Sequence, residues 1–164
     1  MRLKRALKPT IFDRYPRSRY FGSMTSLDDP QVRQFLSEGT KVGKLGYLAK
    51  DGRPLVSPIW FLLKNDTLIF CTSPDEAKGK ALQRDPRVVL TVDIETPPYS
   101  YIQIQGTAEA DADPEHVKSA FREIANRYLP HEAAEAYVNK QGPEPRGVLF
   151  VIHPTKVVSL FDLL

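Results

Sequence analysis

The chain has 164 residues, a mass of 18.6 kDa, 41% hydrophobic and 26% charged residues, a composition able to bury one globular core. That balance argues against disorder. No apolar run approaches the roughly 20 residues of a bilayer-spanning helix, and the first residues lack the apolar stretch of a secretory signal.

The net charge of +3 is unevenly spread. Residues 1–24 carry seven cations and one anion, which leaves 16 cations and 19 anions in residues 25–164, a charge of −3. The pI near 9.0 therefore belongs to the N-terminal arm, and a nucleic-acid role would rest on that arm alone. The arm reads as unstructured basic sequence, with a transit peptide or a nucleic-acid or membrane-surface tail as alternatives. Met24, after Gly22-Ser23, is an alternative start. The single cysteine, Cys71, excludes an internal disulfide and fits a reducing cytoplasm.

Elements follow in a legible order. Asp28 or Asp29 before Pro30, apolar residues at Val32, Phe35 and Leu36, and a stop at Gly39 predict a short amphipathic helix. Two β-prone runs, Val42 to Ala49 and Pro54 to Leu63, flank Asp51-Gly52, a strong hairpin signal. A tight turn at Lys64-Asn65-Asp66 leads into a third strand, Thr67 to Thr72. A short helix opened by Ser73 or Asp75 ends at Asp85-Pro86, because the residue before proline avoids the α region. Strands return at Arg87 to Asp93 and, beyond Pro97-Pro98, at Tyr99 to Glu109, where Tyr101-Ile-Gln-Ile-Gln alternates with period two. Asp113-Pro114 starts a longer helix through Leu129, Glu132 to Asn139 forms a shorter one, and two last strands, Val148 to Ile152 and Lys156 to Phe161, flank His153-Pro154. The sum is a mainly β, α+β chain of six or seven antiparallel strands expected to close into a barrel, with three or four peripheral helices.

Few catalytic constellations are present. His116, His131 and His153 lie far apart without metal-ligand spacing, Cys71 sits mid-strand like a small core residue, and no glycine-rich phosphate loop or nucleophile elbow occurs. What remains is one strand-to-helix junction carrying Thr72, Ser73, Lys78 and Lys80. Two hydroxyls, two ammonium groups and helical N–H groups suit a phosphate. A helix cap beside solvated lysines is the competing reading.

Four segments in order, Gly46 to Phe61, Leu68 to Leu82, Arg84 to Val88 and Pro98 to Glu109, resemble the pyridoxamine 5′-phosphate oxidase-like proteins, in particular the branch that uses the deazaflavin coenzyme F420. The resemblance implies a split β-barrel homodimer with a flavin or deazaflavin in a groove between subunits. It implies that Thr72, Ser73 and Lys78 hold the cofactor phosphate with Lys80 as second cation. It also implies that the strand Leu55 to Trp60 floors the ring, Ser57 and Pro58 nearest. Tyr99 and Tyr101 would reach the site from the second subunit, bound the ring, and serve as candidate proton donors. Ordinary strand packing is the alternative for both tyrosines, and a dimer-interface anchor for Trp60.

Two departures separate this chain from the name-giving oxidase. Ala77 stands where FMN-dependent members carry Arg, and Val158 to Leu164 holds no Arg-x-His element. The expected function is thus hydride transfer between reduced F420, ahead of FMN, and a small conjugated acceptor such as an enone, imine or quinone, in the cytoplasm and without a membrane or nucleic-acid partner. The alternatives are an FMN-dependent oxidoreductase on the same fold and a non-catalytic carrier of flavin, deazaflavin or haem.

Overall fold

The computed structural model describes residues 22–142 and 146–163. In chain order its elements are β1 (Ser23–Thr25), α1 (Pro30–Ser37), β2 (Gly43–Leu48), β3 (Pro54–Ile59), β4 (Leu62–Lys64) and β5 (Thr67–Thr72). Then come α2 (Ala77–Arg84), β6 (Arg87–Asp93), β7 (Tyr99–Asp111), α3 (Pro114–Tyr128), α4 (His131–Asn139) and β8 (Val148–Leu163). Residues 1–21 of the basic arm lie outside the described residues, whereas Ser23 and Met24 belong to β1, which pairs with β8.

Local chemistry sets the helix starts. Asp29 accepts from the N–H groups of Gln31 (2.8 Å) and Val32 (3.2 Å) with Pro30 in the first turn, and Asp113 does the same for Glu115 (2.9 Å) and His116 (3.2 Å) before Pro114. After α1 the chain turns at Gly39, whose φ of +64° is the left-handed conformation that glycine adopts without steric cost.

The strands form one antiparallel sheet in the order β3-β2-β6-β7-β8-β5-β4, with β1 on β8. It is not closed by hydrogen bonds: β3 and β4 are its two ends, although only Trp60 and Phe61 separate them in sequence. A single apolar cluster nevertheless takes Leu45 and Ile59 from one end of the path and Leu68 and Phe70 from the other, together with Leu90, Ile104 and Ile152 between. This is a split barrel around a common core, held by side-chain burial where the hydrogen-bond ladder is interrupted.

Eight strands replace the expected six or seven; β1 is the addition, and two other departures cancel in the count. The run Pro54 to Leu63 breaks at Trp60-Phe61, because the Phe61 N–H donates to the Tyr128 hydroxyl (3.2 Å) and its carbonyl accepts from Arg127 (2.8 Å) rather than from a neighbouring strand. The two C-terminal runs instead fuse into the 16-residue β8, which passes Pro154 through an irregularity in its pairing with β7 at Gln105/Gly106.

On the sheet's outer face, α3 lays Val117 and Ala120 against Ile69 of β5 and Leu149 of β8, and α4 packs Ala134 and Val138 on Ala125 of α3. Arg127 fastens this helical hairpin by donating to the carbonyls of Leu36 (2.6 Å), Gly39 (3.1 Å) and Phe61. The hairpin thereby covers the C-terminal end of β5. Among the described residues, no helix is long and apolar enough to cross a membrane.

Candidate functional site

The site is built where β5 ends. Beyond Thr72 the chain makes a tight turn in which the Ser73 carbonyl accepts from the Glu76 N–H (3.2 Å) and the Ser73 hydroxyl oxygen accepts from the Asp75 N–H (3.2 Å). Ser73 therefore shapes the turn, and α2 begins later than its sequence predicts, at Ala77 with Glu76 as the capping position. The helix rests directly on that turn. Gly79 is buried, and a Cβ at its position would lie 2.2 Å from the Ser73 carbonyl oxygen.

This packing gathers three of the sequence-identified residues and one that the sequence reasoning passed over. The Thr72 hydroxyl donates to the Glu76 carboxylate (2.8 Å), and the Lys78 ammonium donates to the same oxygen. The Lys78 contact, followed by that of Thr72, holds the Glu76 carboxyl below the usual carboxylate range. Thr72 is buried, Lys78 half-buried and Glu76 largely exposed. Thr72 and Lys78 thus form an anion cradle with a carboxylate of the same chain already in it. Its signal was available, since Glu76 stands two residues before Lys78.

The cradle opens onto a cavity of about 420 Å³, within the size range of small-molecule sites. Pro58, Ile59 and Trp60 line it from β3 and the residue beyond, Phe121 and Tyr137 from the helical hairpin, and Arg146 adds a second cation to the lining. The Trp60 ring stacks on Tyr128 at 4.9 Å and 3° and leans on Tyr137 at 5.9 Å. Phe121, Tyr137 and Arg146 come from sequence positions far from the motif, and no local pattern marks them.

The other expected residues lie apart from this chamber. Lys80 is exposed on α2 and does not line the cavity. Leu55 packs against the core, and the Ser57 hydroxyl is within 3.0 Å of the Tyr47 hydroxyl. Tyr99 and Tyr101 line a second hollow of about 350 Å³ with Asp93, Gln103 and Leu160. A single chain therefore unites Pro58, Trp60, Thr72, Ser73 and Lys78, and leaves Leu55, Ser57, Lys80, Tyr99 and Tyr101 elsewhere.

The imidazoles are engaged at the surface: His116 with Asp111 (2.7 Å), His131 with Asn126 (3.0 Å) and His153 with Glu109 (3.0 Å). None lines the cavity, and among the described residues no group of three or more metal-ligating side chains occurs. Cys71 does line it, but burial pushes its thiol up to about 12, so it stays protonated and is a poor nucleophile. Hydroxyls and cations lining the same cavity as aromatic rings fit a flat heterocycle with an anionic tail. Among the described residues, the same lining offers haem iron a phenol, Tyr137, and no imidazole.

Residues 15–161 match the family described as pyridoxamine 5′-phosphate oxidase. No curated protein matches this sequence. A conserved hypothetical protein from Mycobacterium tuberculosis superposes with a TM-score of 0.72 at 19% identity, over 88% of this chain and 89% of that one. An F420 reductase superposes at 0.61 with 23% identity, over 76% of this chain and 94% of its own. HutZ, the haem storage protein from Vibrio cholerae, superposes at 0.64 with 19% identity, over 84% and 98%. These likenesses show a shared fold. The family match spans nearly the whole described barrel, and the chain belongs to the pyridoxamine 5′-phosphate oxidase family, which binds flavin-type cofactors.

Proposed function

We propose that this chain is an F420-dependent oxidoreductase, acting as a homodimer, that transfers a hydride between the reduced deazaflavin and a small conjugated acceptor. The observation that carries the reading is the cradle of Thr72, Ser73 and Lys78 at the rim of an aromatic-walled cavity of about 420 Å³. The deazaflavin, when bound, supplies the hydride-transfer chemistry, so the protein needs no nucleophile or metal of its own. Lys78 and Arg146 neutralise the anionic tail and the two hydroxyls orient it. Trp60 and Tyr137 bound the apolar plane, and their packing excludes water from it. Ala77, exposed on the first turn of α2, supplies no donor, which favours F420 over FMN by the resemblance noted above.

Val56, on the sheet-end strand β3, and Tyr99 are large exposed apolar side chains at 69% and 48% exposure, which supports a second copy packing on the barrel. Tyr99 and Tyr101 of that copy are the groups we assign to proton delivery.

The test is anaerobic mixing of the protein with reduced F420 and a panel of enones, imines and quinones, followed by the absorbance of the oxidised cofactor. Reoxidation with at least one acceptor, lost on Lys78→Met at limiting cofactor, is the expected result. Tight binding with no turnover across the panel would point to a carrier instead.

A further inference from the structure

The Glu76 carboxylate sits where a ligand's anionic group is expected. It takes the Thr72 hydroxyl at 2.8 Å and the Lys78 ammonium on one oxygen, and its side chain is 54% exposed. It is also the capping residue of α2, yet its side chain makes no hydrogen bond to the helix N–H groups. The carboxylate is thus held by the cradle alone, and it can rotate into solvent beside the positive end of the helix without becoming a buried charge.

We propose that Glu76 is a displaceable internal anion that closes the cradle against free phosphate and yields only to a phosphorylated ligand whose ring also fills the adjoining cavity. This deepens the cofactor reading above and rests on it. Two physical consequences follow from the tether. Glu76 competes at the high effective concentration of an intramolecular group, so a free anion must overcome both that competition and the loss of its own translational freedom. A ligand anchored by its ring among Trp60, Phe121 and Tyr137 presents its phosphate intramolecularly as well, and meets Glu76 on equal terms. Displacement then releases the Thr72 hydroxyl and the Lys78 ammonium together. The Ser73 hydroxyl, whose oxygen accepts from the Asp75 N–H, still has its own proton to donate.

The experiment compares the intact protein, Glu76→Gln and Lys78→Met by fluorescence of Trp60, the only tryptophan of the chain, which lines the same cavity. The probes are inorganic phosphate, FMN and F420, each titrated alone, with phosphate also used to compete with the cofactors. In the intact protein we expect the cofactors to bind and inorganic phosphate to leave them in place. In Glu76→Gln we expect cofactor affinity to rise roughly tenfold and phosphate to displace the cofactors at millimolar concentration, the size of effect that removing one charge from a partly buried site produces. Lys78→Met should lose cofactor affinity.

A thermal melt checks that each variant folds, and Glu76→Ala is the second variant should the glutamine substitute retain the Thr72 contact. If both Glu76 variants bind phosphate and cofactors no better than the intact protein while Lys78→Met binds them worse, the displacement idea falls and the cofactor site stands. If none of the variants changes any affinity, the cofactor site falls with it.

Discussion

Gly79→Ala sets two physical effects of opposite sign against each other. In a helix interior, alanine is favoured over glycine by about 1 kcal/mol, so propensity alone predicts a more stable protein. At this position the new Cβ would lie 2.2 Å from the Ser73 carbonyl oxygen and 3.0 Å from the Pro74 Cα, against an ordinary contact distance of 3.4 Å or more. Both neighbours are backbone and cannot rotate away, so α2 must move off the turn by about 1 Å, an overpacking that costs ~1–3 kcal/mol. Net of the propensity gain, we expect a destabilisation of up to about 2 kcal/mol, read as a fall in Tm of up to about 8 °C. The same displacement carries Lys78 away from Thr72, so cofactor affinity should fall as well. Denaturant unfolding and a cofactor titration on the same variant measure both. A Tm equal to or above that of the parent, with unchanged affinity, would refute the claim that this glycine seats the cradle.

The remaining predictions concern groups away from the cradle's contacts. Arg127→Met removes charge-assisted bonds to three backbone carbonyls and the guanidinium's packing over the Phe61 ring at 4.5 Å, and should cost about 2–4 kcal/mol in urea unfolding. A loss below about 0.5 kcal/mol would show that the helical hairpin is held by its apolar contacts alone. Cys71, whose thiol is pushed up to about 12 by burial, should resist a thiol reagent at pH 8 in the native protein and react at once on unfolding; rapid native labelling would contradict its burial. The Asp111 hydrogen bond raises the pKa of His116, while the Asp113 N–H, and then His116, lowers that of Asp111. The stabilisation linked to His116 is therefore fully present below its unfolded value of about 6.5 and is lost as pH rises through the raised folded value. That linked to Asp111 is present above about 3.9 and is lost as pH falls through the lowered one. Asp111→Asn should flatten the small decline of Tm on the alkaline side of pH 6.5; an unchanged slope would remove this pair as its source.

The parts of the fold that rest on local chemistry were legible from the residues. Asp29-Pro30 and Asp113-Pro114 start helices because the aspartate satisfies free N–H groups, and Asp51-Gly52 reverses the chain with Gly52 at φ +83°. The features that were not legible depend on distant groups. The break at Trp60-Phe61 exists because Arg127 and Tyr128, more than sixty residues away, take the Phe61 backbone groups. The continuity of β8 through Pro154 depends on a close approach at Gly106, where a Cβ would lie 2.2 Å from the His153 carbonyl oxygen. The site divides along the same line. Thr72, Ser73 and Lys78 are within seven residues of one another, and their residue types announce an anion cradle. Phe121 and Tyr137 complete the cavity only through the packing of α3 and α4, and Arg146 only as the chain returns to β8. Lys80 fits the same local pattern as Lys78, but two further positions along the helix turn it to the exposed face.

The cradle and cavity make a claim about the cofactor that a single pair of titrations tests. Pure protein is titrated separately with F420 and with FMN while Trp60 fluorescence is followed, and each titration is repeated with Lys78→Met. F420 should bind more tightly than FMN, and the lysine substitution should weaken it about 10- to 150-fold, the equivalent of the ~1.5–3 kcal/mol of one charge-assisted hydrogen bond. Preference for FMN, or F420 binding that does not depend on Lys78, would contradict the assignment.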